Sequence, residues 1–299
     1  ALNGDDIIVS DSVQNVITVF RATDYGKELK NAQSLTNDGR YLDAKPLWED
    51  LIKQDKQNQL TYIGLAKANY DSENYKAALS YAKTGCDKET YALAFAELRN
   101  TFLINNFAVI IICLIAVVAA LIVLIRLKKK NGIKLLNDKM RTALSIMKSP
   151  GLVTDDIRLK NKGSFVLALI ILLLFYISTV MKVTDAGFCF TSFSRDSFNS
   201  LLVLLQTVGG VGLFTVCFWG VSTIMAGQGK LKDIFLVLTY SLQPMIIANI
   251  LYIILSNIML PSEVAFLDLF MTVMTGYTAF ILIIALMRLC DYGFGKFAG

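Results

Sequence analysis

Hydrophobic and polar positions are distributed unevenly along the chain. Charged residues crowd the first half, and long apolar segments dominate after residue 164. A membrane-spanning helix needs about 20 mainly apolar residues, and five segments approach or exceed that length. They cover residues 102–127, 165–182, 201–226, 234–260 and 267–289. The pattern predicts a mainly α, polytopic α-helical membrane protein with five spans, preceded by a polar region that ends near residue 100.

Positive charge gives the predicted spans a sidedness. The net charge is +5, and the surplus lies mainly between residues 126 and 162. Cytoplasmic segments beside spans carry an excess of Lys and Arg. We therefore expect the basic segment 128–163 and the turn after the third span to be cytoplasmic, with residues 1–100 and the loop 185–200 outside. The residues of that cytoplasmic turn are Gly227, Gly229, Lys230 and Lys232.

The polar first half shows two kinds of periodicity. Residues 4–20, GDDIIVSDSVQNVITVF, form two apolar runs around a polar turn, which predicts a β-hairpin. Residues 31–99 have a helical period instead. A shift of about 34 residues, typical of two-helix repeats, pairs Tyr41 with Tyr75 and Ala44 with Ala78.

The helical segment carries a repeat consensus. Tyr62, Leu65 and Ala66 fall at first-helix positions, and Trp48 falls at the second-helix aromatic position, of a motif that resembles the tetratricopeptide repeat. The alternative is an unrelated helical hairpin, because Lys56 stands where the first repeat should close with proline. The residues expected to be buried between the helices are Tyr41, Ala44, Trp48, Tyr62, Leu65, Tyr75 and Ala78.

The repeat resemblance implies an adaptor, a helical unit outside the cell that binds another protein. Its contact surface would be the inner side of the helices, which we call the adaptor face. The residues of the adaptor face are Leu60, Ile63, Lys67, Tyr70 and Asp71.

The opening hairpin has a motif of its own. Gly-x-x-Ile-Ile-Val-x-Asp-Ser from Gly4, followed by Asn-x-Ile-x-Val-Phe, resembles a blade of an NHL-type β-propeller. Propellers close a ring of blades, so the resemblance implies that this remnant β-hairpin ends a propeller with further blades upstream. The alternative is an irregular hairpin packed on the helical repeats.

A series of motifs follows residue 147. They are KSPG, VSTIMAGQGKLKDIF, YSLQPMII, LSNIMLPSE and RLCDYGFGK, in that order. Together they resemble the bacterial, Gram-positive form of the Yip family of polytopic membrane proteins. Lys148 and Cys290 depart from the pattern, since the family commonly has His at both positions. The resemblance implies a Yip-type membrane domain over residues 164–299 and one more span after the fifth.

Small and polar residues interrupt the third and fourth spans. Pro244 should kink the fourth helix because it removes a backbone hydrogen bond. Gly212 and Gly220 recur on one face of the third span, and Asn249 and Asn257 recur with the same spacing in the fourth. We predict that these four residues make contacts between spans, some within the bundle and some with a partner. A transport site is the alternative.

An amphipathic helix is predicted just after the first span. Its apolar side has Ile133, Leu136, Met140, Leu144 and Met147, and its polar side has Lys134, Asn137, Asp138, Arg141 and Lys148. Such a helix either lies on the anionic inner leaflet or binds a helix of a partner.

The composition argues against catalysis. The chain has no His, which removes the commonest general base and metal ligand. Its five cysteines are scattered, without a CxxC motif, and neither GxSxG nor HExxH occurs. Ser222 and Ser241 therefore have no His to activate them. We expect no enzyme activity, no catalytic residue, no cofactor and no metal site.

Two functional hypotheses remain. The first is a non-catalytic accessory or scaffold membrane subunit in a bacterial cell membrane. Bacterial Yip-domain proteins of this layout accompany carbohydrate ABC transporter components, so the resemblance implies permease subunits and a solute-binding protein as partners, besides the lipid bilayer. The alternative is a stand-alone channel or carrier, in which Pro244 and the glycines make a broken helix of the transporter kind. Neither hypothesis involves nucleic acid.

These interpretations divide the chain into five segments. They are the last blade hairpin of a propeller (1–25), the tetratricopeptide-like repeats (26–100), the first transmembrane helix (101–127), the basic cytoplasmic linker with its amphipathic helix (128–163) and the Yip-type transmembrane domain (164–299).

Overall fold

The computed structural model describes residues 2–3, 6–131, 138–191, 198–225, 227 and 229–291. The chain forms two compact units, Ala1–Ala116 and Val117–Gly299. Five helical segments are long and apolar enough to cross a membrane. The prediction of a mainly helical chain with five spans is confirmed.

The first unit begins with a small antiparallel sheet of strand order β1-β2-β3. The strands are β1 (Leu2–Asn3), β2 (Asp6–Asp11) and β3 (Val16–Phe20). The register places Ile7 opposite Phe20 and Asp11 opposite Val16. Asn15 reverses the chain with a φ of 50°, a conformation that Asn tolerates well. The predicted pair of strands is confirmed, and every residue of β3 is exposed.

Four helices follow the sheet. They are α1 (Asp24–Asn37), α2 (Tyr41–Gln54), α3 (Gln59–Asp71) and α4 (Tyr75–Thr84). Side chains of Thr23, Asn58 and Asn74 accept backbone N–H groups at the starts of α1, α3 and α4. These bonds satisfy donors that have no partner within the helix, which fixes where each helix begins.

Trp48 is the centre of the core of these helices. The indole is 2% exposed, and its Nε1 donates to Thr36 Oγ1 at 2.9 Å. Gly64 on α3 makes room for the ring, since a Cβ at that position would lie 2.2 Å from Trp48 Cε2. Ala32 and Ala44 are fully buried beside it. Small residues on the facing helices thus create the space that the indole fills.

The expected burial holds for four of the seven residues named from the sequence. Ala44, Trp48, Leu65 and Ala78 are buried, whereas the three tyrosines are only half-buried. The difference arises from the phenol groups, which keep a polar end near solvent. The hydroxyl of Tyr62, for example, donates to the carbonyl of Lys56 at 2.8 Å.

A single helix, α5 (Lys88–Asn131), joins the predicted end of the repeats to the predicted first span. It begins at Asp87, whose carboxylate accepts from the backbone N–H of Glu89 and from the hydroxyl of Thr90 at 2.6 Å. The polar start and the apolar continuation are therefore one continuous helix.

The second unit contains the remaining helices. They are α6 (Asp138–Ser145), α7 (Pro150–Lys160), α8 (Phe165–Thr184), α9 (Ser200–Leu204), α10 (Gly210–Ile224), α11 (Leu231–Ser241), α12 (Gln243–Ser256) and α13 (Val264–Cys290). A π-helical turn, Leu205–Gly209, joins α9 to α10, and a 3-10 turn, Pro261–Glu263, precedes α13. Pro244 lies in the first turn of α12, so the predicted interruption of the fourth span is present.

The segment interpreted as a basic linker is part of the core of this unit. Ala143 and Ile146, at the end of α6, and Val153 and Ile157, on α7, are buried together with residues of α8, α11 and α13. The predicted apolar stripe is not the side of α6 that is buried in this core. Met140 and Leu144 are exposed and Met147 is partly buried, while Ile133 and Leu136 lie outside the described residues.

We predict that Trp48→Ala lowers the free energy of unfolding by about 3–5 kcal/mol, because the lost indole leaves a cavity. Denaturation of the purified chain in detergent, followed through the helical signal, measures the change. Leu42→Ala is the matched control, since Leu42 is 64% exposed on the same helix. Equal stability of the two variants would contradict the central place of Trp48 in this core.

Candidate functional site

The most distinctive polar contacts of the second unit hold α6 and α7 against the spans. Gln243 Nε2 donates to the carbonyl of Ala143 at 2.8 Å, and the hydroxyl of Tyr277 donates to the carbonyl of Met147 at 2.5 Å. We call residues 138–160 the α6–α7 hairpin. Its turn therefore hydrogen-bonds to two of the membrane-spanning segments.

A third contact fastens the middle of α7. Arg288, in the last turn of α13, makes a bidentate ion pair with Asp155, with Nε–Oδ1 and Nη2–Oδ2 distances of 3.0 Å. A planar guanidinium fits a carboxylate in this way, which fixes orientation as well as position. Met147 lies beside Tyr277 and Asp155 beside Arg288, so α7 runs in the same direction as the last part of α13.

The charged residues of α13 show how deep the hairpin turn lies. Asp268 and Arg288, the two charges of this helix, are about 30 Å apart along its axis, which matches the thickness of the hydrocarbon core. Tyr277 lies near the middle of that interval. Gln243, the first residue of α12, likewise lies about 16 Å along the fourth span from Lys232 on α11. The turn of the α6–α7 hairpin therefore lies level with the middle of α13, about 16 Å along its axis from Arg288.

The hairpin is also joined to the start of α8. Tyr240 is fully buried, and its hydroxyl accepts from the N–H of Ser164 and donates to the carbonyl of Ser164, both at 3.1 Å. A Cβ at Gly163 would lie 2.5 Å from Leu236 Cδ1 and 3.4 Å from Ile157 Cγ2. Glycine at this position lets α7, α8 and α11 approach each other closely.

Beyond Asp155, the surface of α7 carries a second carboxylate. Asp156 Oδ1 lies 2.7 Å from Lys160 Nζ. The hydrogen bond from this ammonium, with further attraction from Lys162, holds the pKa of Asp156 below its usual value, against a smaller opposing effect of burial. The carboxylate is therefore ionised at neutral pH, as expected at the polar end of the hairpin.

Two asparagines in the second half of the fourth span connect it to α8 and to the residue that follows α8. Asn249, which is buried, donates to Ser178 Oγ at 3.2 Å and Thr179 Oγ1 at 3.3 Å on α8. Asn257 donates to the carbonyl of Asp185 at 3.0 Å. Of the four span residues chosen from the sequence, the structure thus places both asparagines in contacts within this unit.

The two glycines of that set are placed differently. A Cβ at Gly212 or at Gly220 would meet no atom within 4 Å. Val211, Thr215 and Ser222 are the buried residues of α10, whereas Leu213, Val216 and Ile224 are well exposed. The side of α10 that carries the glycines is therefore open in this chain.

The predicted cytoplasmic turn lies against the end of α13. The N–H of Gly227 donates to the carbonyl of Ser222 at 2.8 Å, which ends α10. A Cβ at Gly229 would lie 3.1 Å from Cys290 Sγ, so the backbone passes close to this buried thiol. Lys230 precedes α11, and both Lys230 and Lys232 are exposed. The turn is thus a tight connection with a basic outer surface.

The adaptor face is only partly covered. Leu60 and Asp71 are exposed, and Ile63, Lys67 and Tyr70 are half-exposed along α3. Tyr70 lies against Tyr75, with ring centroids 5.6 Å apart. Ile63 borders the turn at Gly85, where an added Cβ would lie 3.0 Å from Ile63 Cγ1. These residues therefore form a continuous, accessible surface with an aromatic centre.

Sequence reasoning missed the contact of Gln243 with Ala143, that of Tyr277 with Met147 and the Asp155–Arg288 pair. Two buried oxygens here, Gln243 Oε1 and Thr239 Oγ1, have no hydrogen-bond partner within the described part of the chain. The same part contains no group of three or more acidic or Cys residues able to hold a metal ion.

The fold and these contacts define a polytopic α-helical membrane protein with a polar, inward-turning hairpin. The family model of the Yip1 domain matches residues 144–299, which is more than half of the chain. The chain belongs to the Yip1 family. Neither the search of the curated proteins nor that of the solved structures found a match.

We predict that Gly187→Ala destabilises the membrane unit by about 1–3 kcal/mol, because the added methyl group overpacks a tight contact. Its Cβ would lie 2.0 Å from the carbonyl oxygen of Ser256, a backbone atom that cannot move alone. Gly276→Ala is the control, since its Cβ would meet nothing within 4 Å. Thermal unfolding in detergent should separate the two, and a Gly187→Ala variant as stable as Gly276→Ala would refute the contact.

Proposed function

We propose that this chain is a non-catalytic accessory or scaffold subunit of a bacterial cell-membrane complex. Its polar residues at membrane depth are mostly used in contacts within the fold, as for Asn249, Tyr240 and Tyr277. The observation that carries the proposal is the accessible surface left in both units, at the adaptor face and beside the open glycines of α10.

The glycines of α10 support a contact between spans. Association of helices in lipid depends on close packing at small residues, because lipid is as apolar as a Leu side chain. Gly212 and Gly220 border space that no atom of the described residues fills. We call this side of α10 the span seam and assign it to a helix of a partner subunit.

The first unit supports an extracellular adaptor. Helices α1 to α4 pack in sequence around small residues and Trp48, as the tetratricopeptide-like interpretation requires. The exposed, apolar strands β2 and β3, with Ile7 51% and Ile17 70% exposed, agree with the NHL-type interpretation, in which neighbouring blades cover such strands. In this proposal the propeller and the adaptor lie outside the cell, and the basic turn at Lys230 lies inside.

A carbohydrate ABC transporter is the partner that we propose. This assignment rests on the resemblance of the layout to bacterial Yip-domain proteins that accompany such transporters. The span seam would contact a permease subunit, and the outer units would extend towards the solute-binding protein. The chain itself would supply contacts rather than chemistry.

A stand-alone channel or carrier is the second candidate, and one observation favours it. The fourth span is broken between α11 and α12, and Gln243 Oε1 is buried there with no hydrogen-bond partner among the described residues. Transporters place substrate sites at broken helices of this kind. Solute flux through the purified chain in liposomes would support this alternative over the accessory role.

The adaptor face is tested by Ile63→Asp/Tyr70→Asp. Two carboxylates on this surface should abolish copurification of the permease and solute-binding subunits, because charges are costly in a desolvated contact. Copurification in mild detergent, quantified by mass spectrometry, measures the loss. Leu42→Asp is the control, since it adds a carboxylate at an exposed position of α2.

The thermal unfolding of the double variant should equal that of Leu42→Asp, which separates loss of contact from loss of fold. If the double variant retains every partner of the parent chain, the adaptor face has no such role.

The span seam is tested by Gly212→Leu/Gly220→Leu. A Cβ at either position meets no atom of the described residues within 4 Å, so we expect the variant to fold and insert normally. It should lose the permease subunit, because bulky residues separate helices that need close approach. Gly276→Leu, at another open glycine, should retain the subunit. Retention by both variants would contradict the seam.

A further inference from the structure

Two buried oxygens at the break of the fourth span have no hydrogen-bond partner within the described part of the chain. They are Gln243 Oε1, on a residue that is 7% exposed, and Thr239 Oγ1, on a residue that is fully buried. Other buried polar side chains of this span, those of Ser241 and Asn249, have partners. Leaving a buried polar atom without a partner is costly, so two such atoms in one place indicate a bound ligand.

The hydroxyl of Thr239 differs in direction from those of the other buried threonines in the described part of this unit. Each of the others donates to the carbonyl four residues earlier in its own helix. They are Thr142, Thr154, Thr215 and Thr278. Thr239 makes no such bond to the carbonyl of Phe235. Its hydroxyl is therefore turned away from the backbone of its own helix and is free to bind a ligand.

The two oxygens lie on the same side of the fourth span. Leu242, between α11 and α12, has a φ of −78° and a ψ of −8°, so the backbone stays in the right-handed helical region through the break. Residues four positions apart in such a backbone are neighbours, with Cβ atoms about 5–6 Å apart. One water molecule can bridge two oxygens at that separation, because each of its hydrogen bonds spans about 2.8 Å.

Pro244 adds a third oxygen at the same turn. Because proline has no N–H, the carbonyl of Tyr240, four residues earlier, lacks its regular helical donor. The N–H of Leu242 turns towards this carbonyl and towards that of Thr239. A carbonyl oxygen has two lone pairs and can accept from a further donor. An internal water typically makes about three hydrogen bonds to buried polar groups, which matches the number of oxygens at this turn.

We propose that one internal water molecule binds at the break of the fourth span. It accepts from the hydroxyl of Thr239 and donates to Gln243 Oε1 and to the carbonyl of Tyr240. All three groups are neutral, so a neutral ligand satisfies them without a counter-charge. Because Gln243 Nε2 donates to the carbonyl of Ala143, the water also links α11 to the α6–α7 hairpin.

This inference is independent of the proposed accessory role. It bears on the second candidate instead, since the stand-alone carrier is favoured by the same oxygen of Gln243. A structural water gives that oxygen a place in the fold.

Thr239→Val tests the site through the sign of its effect on the full chain in detergent. Valine has nearly the same shape but no hydroxyl, so the water loses one partner and is held less well at Gln243 Oε1. The unfolding temperature should fall by about 2–6 °C. Thr154→Val is the matched control, since Thr154 is equally buried and its hydroxyl donates to the carbonyl of Pro150. Its effect should be smaller, because that carbonyl keeps its backbone donor.

The opposite sign overturns the proposal. If the hydroxyl of Thr239 has no ligand, its removal relieves the cost of burying it, and Thr239→Val unfolds at an equal or higher temperature than the parent chain.

A high-resolution map of the parent chain locates the ligand directly. A peak within hydrogen-bond distance of Thr239 Oγ1 and Gln243 Oε1 is expected, and it should be lost in Thr239→Val. Direct contact of the two oxygens, or no peak between them, would contradict a bridging water.

Replacement of sodium and potassium by choline separates water from a monovalent cation, because choline is too large to bind between these oxygens. The peak and the unfolding temperature of the parent chain should not change. A fall in that temperature which is absent in Thr239→Val would identify a metal cation at the break and overturn the assignment to water.

Discussion

Backbone polar groups inside a bilayer must find partners within the protein, and this requirement shapes the whole second unit. The turn of the α6–α7 hairpin lies level with the middle of the spanning helix α13, and lipid could not satisfy non-helical backbone at such a level. Gln243 and Tyr277 donate to the carbonyls of Ala143 and Met147, and Arg288 fixes α7 through Asp155. These three side chains add directed polar contacts to the apolar packing of Ala143, Ile146, Val153 and Ile157 in the same core.

The same principle explains the other polar residues of the spans. Tyr240 binds both backbone groups of Ser164, and Asn257 binds the carbonyl of Asp185, so each holds a helix end or a loop in place. Polar side chains that look like candidates for transport or catalysis thus largely make hydrogen bonds within the fold. Among the described residues, the span seam and the adaptor face stay accessible.

Sequence patterns predicted the parts of this fold that depend on local periodicity. The five spans, the strands around Asn15 and the break at Pro244 follow from segment length, alternation and the missing proline N–H. The α6–α7 hairpin could not be predicted in this way. Its helices α6 and α7 have 8 and 11 residues, which is too short for a span, and they carry many charges. Their partners, such as Gln243 for Ala143, are also distant in the sequence.

The candidate contacts show the same limit. A sequence does not distinguish a glycine beside open space from a glycine in a tight contact. A Cβ at Gly212 would meet no atom of the described residues within 4 Å, whereas a Cβ at Gly187 would lie 2.0 Å from the carbonyl oxygen of Ser256. Likewise, the sequence placed Asn249 and Gly220 in one set, and only packing separates a residue that holds the bundle from one that remains open. Partner surfaces are defined by what the fold leaves uncovered, and that is a tertiary property.

The central claim is that this chain acts through contact with other membrane subunits. Native mass spectrometry of the particle released from its own membrane, without overproduction, tests it most directly. The account predicts a mass above that of one chain, made up by stoichiometric permease and nucleotide-binding subunits of a transporter. A mass equal to a single copy, or to copies of this chain alone, would contradict it.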